Sequence, residues 1–516
     1  MNATTAPTTT PRRAAQAPGP KGVPLLGSLG PWRRNTAEFL LGLQRDHGET
    51  VRMRLGPMTV HQITGPEAVQ QVLVNNHGNY VRGPLYEQFS VVMGKGLLTS
   101  DGDFWRGHRR AVQPAFQKNA ILDIVPNIVT ATNEMLDAWE AKAARDEPVD
   151  LMTEMLRLTL ITLSRSLFAY DIEPSSRVLK HIVDDVVEVM FRRGTPSEMM
   201  PSWLPTDRKH KIARIHRVFD RIVADVRQNY ARTGEGSLIS LMEQAEDPVT
   251  GEPWTDQELR DELLTIYLAG HETTAVSLCW TLLSIANHPP VQEELDAEIG
   301  QVLGGGLPDR QNTDALTYTR MVVDESLRMH PPIWIFPRAA VGPDSLGGYD
   351  IEAGSSILLS PLVSHHNPRH WDNPLAFDPY RFTAKAVKER PRMAYFPFGA
   401  GPRQCIGNTM ALLELRTIVT MINQRFRLSM IPGHALRYGS PVISLRPLQD
   451  VMVRLTARDR TVTGSRPVTP RTPAADTADT ADTAAEGDAH TYAAKDASSA
   501  RTAGCPAHRG PGSETR

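Results

Sequence analysis

Residues 396–407 read Phe-Pro-Phe-Gly-Ala-Gly-Pro-Arg-Gln-Cys-Ile-Gly, which sets Cys405 in a loop of glycines and prolines with Arg403 two positions before it. Glycines at 399, 401 and 407 permit positive φ and let backbone come close to a flat, bulky group. A helix-compatible run at 409–427 follows, so free N–H groups and the positive end of a helix dipole should face the sulfur. Both features favour the thiolate, the form of cysteine that binds a metal. A second stretch, Ala269-Gly270-His271-Glu272-Thr273-Thr274, places an acid and a hydroxyl inside an apolar run. Small residues there make room for a flat cofactor, and the polar pair can relay protons. A third, Trp105-Arg106-Gly107-His108-Arg109-Arg110, sets Trp105 and Arg109 four apart, on one helix face, as a donor pair suited to a carboxylate.

Each stretch has a plainer reading. A lone cysteine is usually buried and inert, but five fixed positions in ten residues argue against that here. No second cysteine lies at zinc spacing, and Ala275 stands where a zinc-protease helix needs its second histidine. Gly399-x-Gly401 half-matches a dinucleotide fingerprint, but Gln404 replaces the third glycine. Trp105 and Arg109 alone would be an ordinary surface arginine beside a packed tryptophan. Arg106 and Arg110 offer a basic patch for an acidic electron-transfer partner or a solvated face.

The pattern Phe398-x-x-Gly401-x-Arg403-x-Cys405-x-Gly407 resembles the haem-binding loop of the cytochrome P-450 family, the haem-thiolate monooxygenases, in the bacterial soluble type. The resemblance implies that Cys405 is the axial ligand of the haem iron and that Phe398, Arg403 and Gly270 lie against the cofactor. It implies that Trp105, Arg109 and Arg338 meet the haem propionates. Ala269 to Thr274 is similar to the family's oxygen-activating motif, which implies a role for Thr273 beside bound dioxygen and for Glu272 in proton delivery. Glu325 and Arg328 share a helix face, and Arg381 lies in Phe377-Asp378-Pro379-Tyr380-Arg381-Phe382. By resemblance these three form a buried structural network that braces the cysteine loop. The family's substrate-covering regions imply a pocket bordered by Leu85, Phe89, Ala269, Ile333, Trp334 and Ile335.

The implied cofactor is haem b, iron protoporphyrin IX, and the implied reaction puts one atom of dioxygen into a C–H or C=C bond of an apolar small molecule. No flavin or nicotinamide module is visible, so electrons from NAD(P)H are expected through a separate ferredoxin and ferredoxin reductase, or an equivalent donor. A terpenoid of specialised metabolism is the expected substrate, with fatty-acid or polyketide/macrolide hydroxylation as the alternative. A peroxide-driven peroxygenase would not require Glu272 and Thr273, and a non-catalytic haem-binding or sensor protein should carry a signalling domain.

These residues need a scaffold, and the chain can build one. It has 516 residues, 41% of them hydrophobic, and a formal net charge of −2 that gives no sign of nucleic-acid binding. Its three cysteines, Cys279, Cys405 and Cys505, are widely spaced and odd in number, which fits a reducing compartment. Residues 1–17, rich in Thr, Ala and Pro, read as a flexible segment with no signal peptide or membrane anchor, so a cytoplasmic enzyme is expected. Residues 18–460 read as the monooxygenase domain, and 461–516, without one Leu, Ile, Met, Phe or Trp, as a disordered tail. Cys505 and His508 in that tail read as inert. The expected fold is mainly α with a small β-rich region.

A hairpin is predicted over 51–63, a short helix over 66–75 and an aperiodic loop over 80–99. Helices dominate 121–240, with a break near 194–205; Met190, Phe191, Met199, Met200 and Trp203 near it could roof a pocket or make core contacts between helices. The best helix is 255–288, opened by a Thr255-x-x-Glu258 capping box and stopped by Pro289-Pro290. Extended chain is predicted over 333–338, 346–351 and 355–360. His365, His366 and His370 are read as structural.

Overall fold

The computed structural model describes residues 15–458 apart from 173–181, 183–184, 187–188, 190–205, 235–237, 247–249, 432–443 and 448. The proposed roof residues at 190–203 and the tail at 461–516 lie outside the described residues. The architecture is mainly α-helical with a small β-rich region, as the sequence leads one to expect. The long helix, Asp256–Ala286, forms the axis of the helical part. Its start is a reciprocal capping box: Thr255 Oγ1 accepts from the Glu258 N–H, and the Glu258 carboxylate accepts from the Thr255 N–H at 2.8 Å. It is buried on nearly every side because helices Leu151–Phe168, Asp207–Thr233, Thr317–Met329 and Asn408–Arg425 pack around it. Among the described residues no helix is long and apolar enough to cross a membrane.

Among the described residues ten strands form the β-rich part: β1 Thr50–Leu55, β2 Met58–Ile63, β3 Tyr80–Val81, β4 Val149–Asp150, β5 Phe336–Ala340, β6 Asp344–Leu346, β7 Tyr349–Ile351, β8 Ser356–Leu359, β9 Phe426–Met430 and β10 Met452–Ala457. The largest sheet runs β1-β2-β8-β5-β3, with β2 and β8 parallel and the other pairs antiparallel. In the β3–β5 register Tyr80 faces Ala340 and Val81 faces Ala339, so the chain leaves β3 at Arg82 beside Arg338. Residues at the start of the described chain join this part. The Asp350 N–H donates to Ala15 O, the Arg52 N–H donates to Pro18 O, and Ala17 is buried, which brings into the fold chain that composition left to a flexible leader.

Three elements differ from expectation. The extended chain predicted from residue 333 starts at Phe336, and the run at 346–351 is a β6–β7 hairpin turned at Gly347-Gly348. The loop predicted over 80–99 contains a helix, Pro84–Met93, with Pro84 in its first turn. After it the chain lies flat on the long helix. The Lys95 N–H donates to Asp261 and the Leu97 N–H to Glu262, whose carboxylate also meets His108 Nδ1 at 3.1 Å. Gly94 has φ +67°, and a Cβ there would lie 1.8 Å from Asp261 Oδ2, so only glycine lets the backbone approach this closely.

Candidate functional site

The cysteine loop is held by its own backbone. The Cys405 N–H donates to Phe398 O, the Gly399 N–H to Phe396 O and the Gln404 N–H to Gly401 O, all within 3.0 Å. Gly401, at φ +67°, lies so close to Leu73 O that a Cβ would come within 2.0 Å of it. Helix Asn408–Arg425 then carries the chain away from the sulfur. The Cys405 side chain keeps accessible surface, so its sulfur is not packed against other side chains. Burial pushes its thiol up, against smaller pulls from the Gly407 N–H and the Arg109 guanidinium. This corrects the expectation that loop and helix dipole alone favour the thiolate. Desolvation outweighs them, and a coordinated cation is what deprotonates such a thiol outright.

A second uncovered patch lies in the middle of the long helix. Ala269 is exposed and Leu268, Gly270 and Thr273 are half-buried, while the helix on either side is buried. Thr273 Oγ1 donates to Ala269 O at 2.6 Å. Glu272 turns elsewhere: it is buried, and its Oε1 accepts from Ser444 Oγ at 2.6 Å.

Three guanidiniums crowd together near the β3–β5 edge. Arg82 lies 4.5 Å over the Tyr86 ring, Arg338 donates to the Tyr86 hydroxyl at 3.4 Å, and Arg403 lies 3.8 Å over the Trp105 ring. Asp101 pairs with Arg403 and accepts from the Arg82 N–H. Burial, and then the neighbouring Arg82 with a smaller push from Arg338, lowers the Arg403 guanidinium to about 9, with Asp101 opposing. Arg82 Nε and Arg403 Nη1 are buried without a partner. Three cations around one carboxylate, with orphaned donors, make a site that wants further anionic oxygen.

Several expected placements change. Arg109 donates to Gln404 O at 2.9 Å, and Arg403 covers the face of Trp105, so both side chains lie against the cysteine loop. Arg106 pairs with Asp103. A Cβ on Gly270 would lie 3.1 Å from Leu163, so this glycine admits the neighbouring helix, and Ala269 and Thr273 form the open face. Trp334 is 1% exposed in a cluster with Leu40, Met53, Leu358, Leu362 and Leu445, and Ile335 packs against it. Trp334 is therefore core and not pocket wall. Ile333 is half-buried, Phe89 is buried edge-on to Tyr86, and the Leu85 side chain lies outside the described residues. Sequence reasoning missed Arg82, Tyr86, Asp101 and Ser444.

Behind the cysteine loop, Glu325 and Arg328 are fully buried and doubly bonded, at 2.6 and 2.8 Å, and Arg381 Nε stands 3.5 Å from Glu325. Arg328 also donates to the carbonyls of His365, Pro374 and Ala376, and Glu325 accepts the Asp378 N–H. His365, buried and held well below its usual range by desolvation, is neutral: Nε2 accepts the Phe396 N–H and Nδ1 donates to Arg328 O. It links this network to the first residue of the loop.

Burial lowers three more histidines, His271 and His366 to about 4 and His330 to about 3. Their folded values lie below the unfolded value, so between the two the unfolded chain binds more protons. The stability they contribute is full above about pH 6.5 and is lost as pH falls toward 4 and below. Denaturant unfolding at stepped pH is expected to show this fall, and His330→Gln should flatten its slope by roughly one proton. An unchanged slope would mean that His330 is not buried neutral.

The family model for Cytochrome P450 matches residues 17–446. Cyclooctatin synthase of Streptomyces melanosporofaciens is 35% identical over 436 residues, covering 84% of this chain and 93% of that protein. Cyclooctat-9-en-7-ol 5-monooxygenase of the same organism is 34% identical with the same coverage. Pentalenene oxygenase of Streptomyces avermitilis is 28% identical, covering 86% and 98%. Among solved structures, the haem domain of cytochrome P450DA superposes with a TM-score of 0.77 at 27% identity, covering 89% of this chain and all of that one. The chain belongs to the cytochrome P450 family. It is a P450 monooxygenase, similar to bacterial terpenoid-oxidising members.

The family's cofactor is haem bound through a cysteine thiolate, with electrons supplied from outside. The residues present fit it: an accessible sulfur on a glycine loop, an uncovered small-residue patch on the long helix, and a guanidinium cluster with unpartnered donors for propionates.

Proposed function

We propose that this enzyme oxidises an apolar terpenoid of specialised metabolism, drawing electrons from NAD(P)H through a ferredoxin and its reductase. The observation that carries the substrate class is the likeness, over four-fifths of the chain, to relatives named for an unsaturated alcohol, cyclooctat-9-en-7-ol, and an alkene, pentalenene. The cofactor is haem b, with Cys405 as its ligand and Arg82, Arg338 and Arg403 as its propionate partners. Bound there, thiolate-ligated iron supplies the activation of dioxygen. The protein's part is to exclude water, present the substrate at Ala269, Ile333 and Phe89, and move protons. Thr273 offers its hydroxyl on the open face of the long helix, and Glu272 supplies the proton from the buried side.

The test is a spectral titration of the loaded enzyme with terpenoids, fatty acids and macrolides. Terpenoids are expected to give the largest spin-state shift, and a response confined to fatty acids or macrolides would move the assignment to that class. Thr273→Ala should keep haem and substrate binding while product per oxygen consumed falls roughly tenfold or more, the loss appearing as peroxide. Unchanged coupling would remove Thr273 from proton handling.

A further inference from the structure

Ser444 is the group that the acid of the long helix meets. Its hydroxyl donates to Glu272 Oε1 at 2.6 Å, and both side chains are buried. Thr273 turns its own hydroxyl to Ala269 O. Neighbouring residues on an α-helix lie about 100° apart, so acid and hydroxyl leave the helix in different directions. The place of Ser444 does not depend on Glu272. The Leu445 N–H donates to Pro332 O at 2.9 Å, the Trp280 indole N–H donates to Leu445 O at 2.7 Å, and the Leu445 side chain is fully buried. A hydroxyl on backbone fixed in this way is preorganised for its acceptor.

We propose that Ser444 is a positioning residue for Glu272 that parks the carboxyl group away from the open face between proton deliveries. This rests on reading Glu272 and Thr273 as a relay. For each delivery the Ser444 bond breaks, the side chain swings, and the Glu272 carboxyl gives its proton to Thr273 Oγ as that hydroxyl passes its own to the reduced oxygen substrate beside Ala269. The carboxylate then returns to Ser444 and takes up a proton from solvent. The swing sets when a proton arrives. Without the anchor, delivery is mistimed, oxygen is lost as peroxide, and turnover becomes more sensitive to proton transfer.

The test compares the parent holoenzyme with Ser444→Ala, Ser444→Thr, Glu272→Gln and the Ser444→Ala/Glu272→Gln double variant. Ser444→Ala is expected to lower product per oxygen several-fold and to raise the solvent isotope effect on turnover, with haem spectrum and substrate affinity unchanged. Ser444→Thr, which keeps the hydroxyl, should restore both. Thermal unfolding of the single and double variants should be non-additive, which reads the contact without turnover. If Glu272→Gln uncouples but Ser444→Ala behaves as the parent, Ser444 is only packing and the proposal falls while the relay stands. If Glu272→Gln leaves coupling intact, the relay falls and takes the proposal with it. Additive unfolding shifts would also overturn it, because the contact would then be absent in solution.

Discussion

Cys405→Ala is expected to abolish product formation and to remove the far red-shifted Soret band of the reduced, carbon monoxide-treated protein. The substitution should do little to the metal-free fold. The sulfur keeps accessible surface, and the loop is held by backbone bonds at Phe396, Phe398 and Gly401 that an alanine keeps. The loss of stability should instead appear only in the loaded protein. A ligand present at a hundredfold its dissociation constant stabilises the folded state by about 2.7 kcal/mol, and weaker binding forfeits that increment. The parent and the variant should therefore unfold alike without haem and apart with it. A variant that keeps the parental spectrum would show that another group ligates the iron.

What could be read before the structure follows from where each signal resides. The capping box at Thr255 and the proline stop at 289–290 are local, and the long helix forms where they put it. The Cys405 loop is legible because its glycines and its sulfur lie within a dozen residues. The guanidinium cluster is different. Arg82 and Arg338 are brought together by β3 pairing with β5 across more than 250 residues of chain, and no periodicity near either residue announces that register. Ser444 is harder still, because a serine in an irregular segment carries no local signal of the acid it will meet.

Two misreadings came from treating a run of residues as one surface. Ile333, Trp334 and Ile335 were read as one pocket wall, but they precede β5 and follow no strand alternation, and the bulkiest of the three went to the core. Gly270 lies in the motif that faces the open patch, yet the helix rotates its Cα toward Leu163. In both cases the residue types were right for the site and the geometry of one residue was not. The thiol of Cys405 shows the same limit in electrostatics, because a sequence displays a dipole and a nearby cation but not the desolvation that opposes them.

Glu325→Ala is expected to be the most damaging change away from the haem pocket. It leaves the Arg328 guanidinium fully buried with no carboxylate, and losing one partner of a buried pair costs about 3–5 kcal/mol. Against a total of roughly 5–15 kcal/mol for a folded domain, that is a large share. Burial pushes the Glu325 carboxyl up by more than Arg328 pulls it down, so the intact pair contributes little net stability. Its value is then geometric: through Arg328 it gathers the carbonyls of His365, Pro374 and Ala376, and His365 in turn receives the Phe396 N–H at the head of the cysteine loop. A double variant, Glu325→Leu with Arg328→Met, separates the two roles. It should regain much of the unfolding free energy, because no unpaired charge remains, while haem loading stays low because the carbonyls are no longer gathered. Normal loading in Glu325→Ala would refute the brace, and full loading in the double variant would show that the network serves stability alone.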